Sequence, residues 1–330
     1  MSQLRIGVLG AARIAPTALI KPARSVEGVQ VAAIAARDPA RAKAFAARHG
    51  IARVLDSYAQ LVRDEQQDAV YIPLPNAAHA QWALAAIEAG KHVLCEKPFT
   101  ANAAEAKQVA QAVEGSGLVV MEAFHYRYHP LAARMAEIVQ TELGEVRRVE
   151  TAMCFPLPRF GDIRYQYDLA GGALMDAGCY ALHCARLLGP GEPEVTSAQA
   201  LTLRRDPRVD RAMKVQLRYP GGATGLAHTS MWSSTLLRMR ARVVGERGEL
   251  TVTNFVAPQY FHRMTVRVDG RTRREKVPGE PTYTCQLRAF AAAVGGDAPA
   301  NLTPPADSVR TMSLIDAAYT AAGLPLRGIR

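Results

Sequence analysis

The first 123 residues alternate short apolar runs with stretches of helical periodicity. The runs "LRIGVLG", "VQVAAIAAR" and "DAVYIPL" are typical of buried strands, and "KHVLC" and "LVVMEA" continue the series. The stretches "PARAKAFAARHG" and "NAAHAQWALAAIEAG" predict helices that stop at Gly50 and Gly90, with Asn76 as the N-cap of the second. Repeated strand–helix units of this kind predict an α/β domain with a doubly wound parallel sheet at residues 1–123.

The pattern changes after residue 124. The stretches "PLAARMAEIVQTE" and "ALMDAGCYALHCARLLG" predict two helices, and a loop rich in proline and glycine lies between them at 156–168. Runs such as "AMKVQLRYP", "RMRARVVG" and "MTVRVDG" then alternate apolar and polar residues. We therefore predict a C-terminal α+β domain, 124–330, with a large, mainly antiparallel sheet covered by helices on one face. The closing helices of this domain could also pack back on the first domain.

A strand-to-helix turn near the N-terminus has the pattern of a dinucleotide-binding Rossmann fold. In "GVLGAARIA" the three positions of G-x-G-x-x-G/A are filled by Gly10, Ala12 and Ala15, so alanine replaces the second glycine. Arg13 and the helix N-terminus would both favour a bound anion. The alternative is a tight turn that binds no ligand.

The end of the second strand distinguishes two cofactors. NAD enzymes usually carry an acidic residue there to bind the ribose hydroxyls, whereas "AIAARDPARA" has Ala36 at that point, followed by Arg37. A guanidinium group can pair with a 2′-phosphate, which a carboxylate would repel. We therefore favour NADP over NAD, although Arg37 could also be an ordinary solvated residue at a strand end.

The segment "HVLCEKPFT" places Lys97 directly after a short buried strand. Ligands of doubly wound sheets bind at the carboxyl ends of the strands, which is where this lysine lies. Pro98 restricts the backbone of Lys97 to extended conformations and admits a cis bond, which the sequence leaves open. We interpret Lys97 as a functional cation rather than a solvated lysine.

Two further segments carry clustered polar groups. In "GGALMDAGCYALH" the residues Asp176, Tyr180 and His183 have a spacing that places them on one helical face, directly after paired glycines. The segment "MEAFHYRYHP" ends the last strand of the first domain and offers Tyr126 and Arg127 to a polyhydroxylated ligand. Its two histidines lack a complementary acid or cysteine, so we predict no metal site. The alternative for both segments is ordinary core packing.

Charge and cysteine content exclude several functional classes. The formal charge is +10, with 33 arginines and 7 lysines, but the arginines are scattered and no basic cluster is interleaved with aromatic residues, so we predict no nucleic-acid partner. No apolar stretch approaches the roughly 20 residues of a membrane span, and no signal peptide opens the chain. The five cysteines form no CxxC pair, which predicts a reducing, cytoplasmic location.

In their order and spacing these segments resemble the Gfo/Idh/MocA oxidoreductases, relatives of glucose-fructose oxidoreductase and inositol dehydrogenase. The D-x-x-x-Y spacing of Asp176 and Tyr180 is similar to the NADP-linked tyrosine branch, which includes dimeric dihydrodiol dehydrogenase. The resemblance implies that Lys97 contacts substrate beside the nicotinamide, and that the chain forms a homodimer or homotetramer through its C-terminal sheet. The predicted cofactor-binding residues are Gly10, Ala11, Ala12, Arg13, Ile14, Arg37, Pro73, Asn76, His79, Glu96 and Lys97. The predicted substrate-binding residues are Lys97, Tyr126, Arg127, Asp176, Tyr180 and His183.

These residues suggest a mechanism for oxidising a carbinol or reducing a ketone of a sugar, ketosugar or cyclic polyol. A nicotinamide carries only the hydride, so the hydroxyl proton needs an acid/base. We assign Tyr180 to that role, with Lys97 as its electrostatic partner and Asp176 as the group that orients the substrate; the roles of Lys97 and Tyr180 could be exchanged. The alternatives are a redox-assisted glycosidase or lyase that retains its nicotinamide, and a non-catalytic nucleotide-sensing regulator.

Overall fold

The computed structural model describes residues 3–328, and the chain divides into two compact units. The first unit comprises the chain up to Tyr128 together with Thr282–Val309. The second comprises His129–Pro281 and the chain from Arg310 onward. Residues Thr282–Val309, a closing segment of the chain, therefore belong to the first unit, although they are distant in sequence from the rest of it.

The first unit contains the parallel sheet that the apolar runs predict. Its strand order is β3-β2-β1-β4-β5-β6, and every pairing of neighbouring strands is parallel. The order reverses direction between β1 and β4, which is the switch point where doubly wound sheets bind ligands. The strands are β1 Leu4–Leu9, β2 Val29–Ala35, β3 Arg53–Leu55, β4 Ala69–Ile72, β5 His92–Cys95 and β6 Val120–Glu122.

Three helices of the first unit, α2, α3 and α5, begin at side-chain caps. The carboxylate of Asp38 accepts hydrogen bonds from the amides of Ala40 and Arg41 at 2.9 and 3.3 Å, and Asn102 caps a later helix in the same way. A π-helical turn, Pro16–Ile20, follows the first strand. The helices are α1 Lys21–Ala23, α2 Pro39–His49, α3 Tyr58–Arg63, α4 His79–Glu88, α5 Ala103–Val113 and, from the closing segment, α8 Thr282–Val294.

The second unit contains a large mixed sheet, mainly antiparallel as predicted. Its order is β14-β13-β12-β11-β7-β10-β9-β8, and within the described part of this sheet β7 with β10 is the one parallel pair. The strands are β7 Val146–Cys154, β8 Glu194–Thr202, β9 Asp210–Arg218, β10 Thr224–Ser230, β11 Arg238–Gly245, β12 Gly248–Thr253, β13 Arg263–Val268 and β14 Arg271–Glu275.

Two helices pack against this sheet. Helix α7, Cys179–Leu188, contacts β7, β10 and β11, and α6, Pro130–Thr141, contacts α7 and β12. Strand β9 alternates buried residues such as Val215 with exposed ones such as Lys214, as expected of a sheet covered on one face. The closing helix α9, Pro305–Ala321, spans the division between the two units.

Two local predictions need correction. Asn76 is the first residue of a 3-10 turn, Asn76–Ala78, and not the cap of α4, because the chain makes this extra turn before the regular helix begins. The segment that precedes α7 is a π-helical turn, Leu174–Gly178, where the sequence predicts continuous α-helix. Such turns are rare in proteins, and many of those known lie at functional sites.

Candidate active site

The phosphate turn in the first unit depends on Gly10. This residue has φ +106°, and a β-carbon there would lie 3.0 Å from Leu74 Cδ2, so the position favours glycine. Its amide donates to the carbonyl of Ala35 at 2.7 Å, and its own carbonyl accepts from the amide of Ala12 at 2.9 Å. Ala12 has a negative φ, so the turn accommodates alanine in place of the usual second glycine.

A basic cavity of about 440 Å³ lies beside the phosphate turn. Arg13 from the turn and Arg41 and Arg48 from α2 line it. The guanidinium of Arg41 donates to the carbonyl of Ala11 at 3.4 Å, so it reaches across from α2 to the turn. The sequence reasoning missed Arg41, although its place in the first turn of α2, four residues after Arg37, was a usable signal. The cavity suits an anionic ligand.

The acidic residue nearest the end of β2 already has a structural partner. Asp38 accepts hydrogen bonds from the first amides of α2, while Arg37 is exposed and Ala36 is buried. The carboxylate is thus directed at the helix N-terminus, which it stabilises. This arrangement fits a phosphorylated ribose better than a ribose that needs a carboxylate acceptor.

The carboxyl ends of β4 and β5 bring Tyr71 and Glu96 together. The buried Tyr71 hydroxyl donates to Glu96 Oε1 at 2.7 Å. Burial and the neighbouring carboxylate hold the pKa of Tyr71 well above its usual value. Lys97 follows as a half-buried residue, and its bond to Pro98 is cis. Tyr71 therefore fixes the residue adjacent to the predicted functional lysine, a contact that spans 25 residues and that the sequence reasoning missed.

His79 links the two loops at this end of β4 and β5. Its ring is fully buried, with Nδ1 2.9 Å from the carbonyl oxygen of Pro98 and Nε2 2.8 Å from that of Leu74. Burial lowers the pKa of the ring. The residue ties the loop after β4 to the loop after β5. The predicted cofactor contacts of His79 and of its neighbours Pro73 and Asn76 stay predictions.

His125 connects the loop after β6 to the start of α8. Its Nδ1 lies 2.8 Å from Thr282 Oγ1, and its ring packs on Tyr283 with 4.1 Å between the ring centroids. Burial, and secondly the positive charge of Lys97, lowers the pKa of His125 to about 3. Thr282 and Tyr283 were not identified from the sequence, because they lie more than 150 residues away from His125, which they contact.

The other predicted residues of the "MEAFHYRYHP" segment differ in exposure. Tyr126 is fully buried with its ring edge on Phe124, as expected of a core residue, and Arg127 is half-buried. Their predicted contacts with substrate stay predictions. Within residues 3–328, no group of three or more histidine, cysteine or acidic side chains is arranged to hold a metal ion.

In the second unit, paired glycines introduce the π-helical turn. The amide of Gly172 donates to the carbonyl of Arg164 at 2.8 Å, and Gly172 has φ +146°. A β-carbon at Gly171 would lie 2.7 Å from that carbonyl oxygen, so neither glycine accepts a side chain easily. The paired glycines therefore form a tight turn that enters the π-helical segment.

Asp176 lies in the π-helical turn and pairs with an arginine that the sequence reasoning missed. Arg164 Nε donates to Asp176 Oδ1 at 3.1 Å, and the carboxylate raises the pKa of Arg164. This arginine belongs to the loop rich in proline and glycine, where no pattern marks it. Tyr180 and His183 follow on α7 and are 5% and 3% exposed. The turn thus presents a carboxylate, and the helix a phenol and an imidazole, over two consecutive turns.

The two units each assemble part of the predicted set. The first gathers His79, Glu96, Lys97 and His125 at the carboxyl ends of β4, β5 and β6. The second holds Asp176, Tyr180 and His183 on one continuous helical segment. The pairing of Lys97 with Tyr180 joins residues of different units and stays a prediction.

Comparison with known proteins identifies the family. Residues 4–124 match the family model described as "Oxidoreductase family, NAD-binding Rossmann fold", and residues 133–251 match that of the "GFO/IDH/MocA C-terminal domain". The chain belongs to the GFO/IDH/MocA oxidoreductases. The resemblance and the two-part fold predicted from the sequence are therefore confirmed.

Relatives within this family cover almost the whole chain. A D-xylose 1-dehydrogenase (NADP(+)) from Haloferax volcanii is 41% identical over 321 residues, 97% of each chain. A 3-ketoreductase from Actinomadura kijaniata, solved with NADP and TDP-benzene, is 30% identical with a TM-score of 0.87, over 97% of this chain and 98% of that one. An aldose–aldose oxidoreductase from Caulobacter crescentus is 26% identical with a TM-score of 0.88 over the same shares.

The Actinomadura ketoreductase has also been solved as two informative variants. One replaces a lysine by alanine and the other a tyrosine by phenylalanine, each with NADP and TDP-benzene bound. The two substituted positions of that GFO/IDH/MocA protein have nearly the same separation along the chain as Lys97 and Tyr180.

We expect His125 to make the first unit sensitive to acid. Its pKa is about 3 in the folded chain and about 6.5 when unfolded, so between these values only the unfolded state takes up the proton. Stability is therefore lost as the pH falls through this range, by about 2 kcal/mol between pH 7 and pH 5. Between pH 7 and pH 5 the His125→Gln protein should therefore lose about 2 kcal/mol less stability than the wild type.

Urea unfolding at the two pH values measures this difference. Both proteins carry Trp232→Phe, because the chain has two tryptophans and the remaining one, Trp82 on α4, then reports on the first unit alone. The matched control is His262→Gln, at a partly exposed histidine of the second unit, which should leave the pH dependence of the Trp82 transition unchanged. Equal pH dependence in His125→Gln and the wild type would contradict the assignment.

Proposed function

We propose that the protein is an NADP-dependent dehydrogenase or reductase that acts on a sugar, a ketosugar or a cyclic polyol. The observation that carries the proposal is the 41% identity, over 97% of both chains, to a D-xylose 1-dehydrogenase (NADP(+)). The Glu-Lys-Pro and Gly-Gly…Asp…Tyr segments are both complete in this chain. A regulator that had lost catalysis would have no use for all of these groups.

In this proposal the chain's own residues transfer the proton of the substrate hydroxyl. The nicotinamide supplies or accepts the hydride, and the substrate hydroxyl needs a separate acid/base. A free tyrosine has a pKa of about 10, and a nearby ammonium group lowers such a value by about 1–3 units. Tyr180 therefore acts as the acid/base with Lys97 as its cationic partner. The solved variants of the Actinomadura ketoreductase replace a lysine and a tyrosine with nearly this separation, which supports the choice of this pair of residues.

Asp176 has the role of orienting the substrate. Its carboxylate is held by Arg164 at 3.1 Å, which favours the charged, hydrogen-bond-accepting form. A carboxylate of this kind accepts hydrogen bonds from substrate hydroxyl groups, so it suits a polyhydroxylated compound. His183, one turn beyond Tyr180, is a further substrate-binding candidate.

The phosphate turn and its neighbours would hold the cofactor. The constrained Gly10 turn and Arg13 suit a pyrophosphate. Arg37 and Arg41 suit a 2′-phosphate, since two guanidinium groups can each donate paired hydrogen bonds. Glu96 and Lys97, fixed through Tyr71, follow at the end of β5.

The proposal includes a cytoplasmic homodimer or homotetramer formed through the C-terminal sheet. Its support is the exposed series Lys214, Gln216 and Arg218 on β9, which leaves one face of that sheet uncovered within a single chain. All five cysteines are thiols, which suits a reducing compartment. Within residues 3–328, no helix is long and apolar enough to cross a membrane.

A substrate screen tests the function. We expect NADP⁺ reduction, followed at 340 nm, with at least one aldose or cyclic polyol, or NADPH oxidation with a matching ketosugar. Conversion of a sugar without any change at 340 nm would instead indicate the alternative in which the cofactor stays bound. Absence of turnover across the panel, with NADPH bound normally, would contradict the proposal.

We expect Lys97→Ala and Tyr180→Phe each to reduce kcat by about 10²–10⁴-fold, the usual contribution of acid–base catalysis. The Kd for NADPH, measured by fluorescence, should stay within about threefold, because most cofactor contacts belong to other residues. Lys107→Ala, which removes an exposed lysine of the same unit on α5, is the matched control. Near-normal kcat in both variants would refute the assigned roles.

We expect Arg37→Ala and Arg41→Ala each to raise the KM for NADP⁺ by about 10–100-fold. This is the loss of affinity expected when one charge-assisted, hydrogen-bonded pair is removed. The KM for NAD⁺ should change by less than about twofold, since NAD⁺ lacks the 2′-phosphate. The control is Lys43→Ala, because Lys43 lies on α2 but does not line the basic cavity. Parallel increases for both cofactors would show that the arginines do not recognise the phosphate.

A further inference from the structure

Arg327 is fully buried, although it follows the last helix of the chain. It forms an ion pair with Asp210 that has 0% exposure on both sides, with 3.0 Å between Nη2 and Oδ1. The other nitrogens also donate, Nε to the carbonyl of Gly171 at 2.8 Å and Nη1 to that of Pro325 at 2.7 Å. A buried ion pair is tolerated when such hydrogen bonds offset the desolvation of both charges.

Asp210 transmits this contact to the turn that carries Asp176. Its Oδ2 accepts the amide hydrogen of Leu174, the first residue of the π-helical turn, at 2.7 Å. Its Oδ1 also accepts from the hydroxyl of Tyr319 at 2.9 Å. Arg327 and Asp210 together thus hold the backbone on both sides of Gly172, at the carbonyl of Gly171 and the amide of Leu174.

This cluster also explains why residue 172 is a glycine. A β-carbon at this position would overlap Asp210 Oδ1 and lie 2.7 Å from the Tyr319 hydroxyl and 3.1 Å from Arg327 Nη2. The second glycine of the pair is therefore required because three polar side chains pack directly against its α-carbon.

Aromatic rings enclose the guanidinium. The Arg327 carbon Cζ lies 4.0 Å from the ring centroid of Tyr319 and 5.1 Å from that of Tyr167. The Tyr167 hydroxyl donates to the carbonyl of Leu326 at 2.6 Å, so the segment that bears Arg327 is also fixed by its backbone. These contacts hold the arginine in one orientation.

We propose that Arg327 is a positioning residue for the reaction, acting through Asp210 and the glycine pair to set the place of Asp176 and Tyr180. This inference rests on the proposed function for the roles of those two residues. Catalysis is sensitive to displacements of about 1 Å in its groups. Loosening the start of the π-helical turn should therefore slow turnover without weakening the cofactor site.

The test compares Arg327→Ala and Arg327→Lys with Arg247→Ala, which breaks an exposed ion pair with Asp269 in the same unit. We expect kcat to fall about 10-fold or more in Arg327→Ala, while Kd for NADPH stays within about twofold. Arg327→Lys should recover part of kcat, because lysine restores the charge, but its donors all lie on one nitrogen and cannot reproduce the reach of the guanidinium fork. Millimolar guanidinium should restore part of kcat in Arg327→Ala and have no effect on the control.

Two kinetic results would overturn the proposal. The first is a kcat in Arg327→Ala within twofold of the wild type. The second is a joint loss of kcat and NADPH affinity in both Arg327 variants, in step with a lower Tm, because that pattern indicates a general loss of structure.

Hydrogen exchange provides a readout that does not depend on turnover. Amides of residues 172–178 should exchange faster in the Arg327 variants, while those of β4 and β5 keep their wild-type rates. Unchanged exchange at 172–178, or equal acceleration throughout the second unit, would refute the positioning role. If the wild type turns over no compound in the screen, the proposed function fails, and this measurement still decides whether Arg327 positions the turn.

Discussion

A polar group that is buried must find a hydrogen-bonding partner, and this constraint organises both units of the protein. Strands of a parallel sheet end at one edge, so the first unit collects polar side chains there and satisfies them mutually, as Tyr71 does with Glu96 at 2.7 Å. In the second unit the same need joins Asp210, Tyr319 and Arg327 in a cluster without solvent contact. In each case the partners come from distant parts of the chain. Satisfying these groups therefore fixes the backbone near the residues proposed to act on the substrate.

Local patterns were sufficient to predict much of this protein. Apolar runs located five of the six strands of the first sheet, all but the short β3. The glycine turn, the Glu-Lys-Pro segment and the Gly-Gly segment marked the candidate site because each has its own local signature. Partners separated by long stretches of chain could not be found in this way. Thr282 meets His125 across 157 residues, and Arg327 meets Asp210 across 117. No periodicity encodes such contacts, since they depend on how the whole unit packs.

Charged residues close together in sequence take different roles according to their place at the start of a helix. Asp38 and Arg41 both follow β2, within three residues of each other. Asp38 precedes the first residue of α2 and so accepts the amides at the helix N-terminus. Arg41, within the first turn, can instead extend toward the phosphate turn and reach Ala11. A preference for NADP thus depends on the exact start of α2 as well as on the missing acid at Ala36, and helix boundaries are the least certain feature of a sequence-based prediction.

The segment with the most recognisable sequence depends most on distant support. Two glycines give the chain many conformations when unfolded, and a π-helical turn is rarely stable on its own. The path from Gly171 to Gly178 must therefore be imposed from outside, by Asp210 on the amide of Leu174, by Arg327 on the carbonyl of Gly171 and by Arg164 on Asp176. The Gly-Gly…Asp…Tyr pattern supplies the chemical groups, while residues outside the pattern supply their geometry. A chain that kept the pattern but lost the Asp210–Arg327 pair would retain the groups without the means to place them.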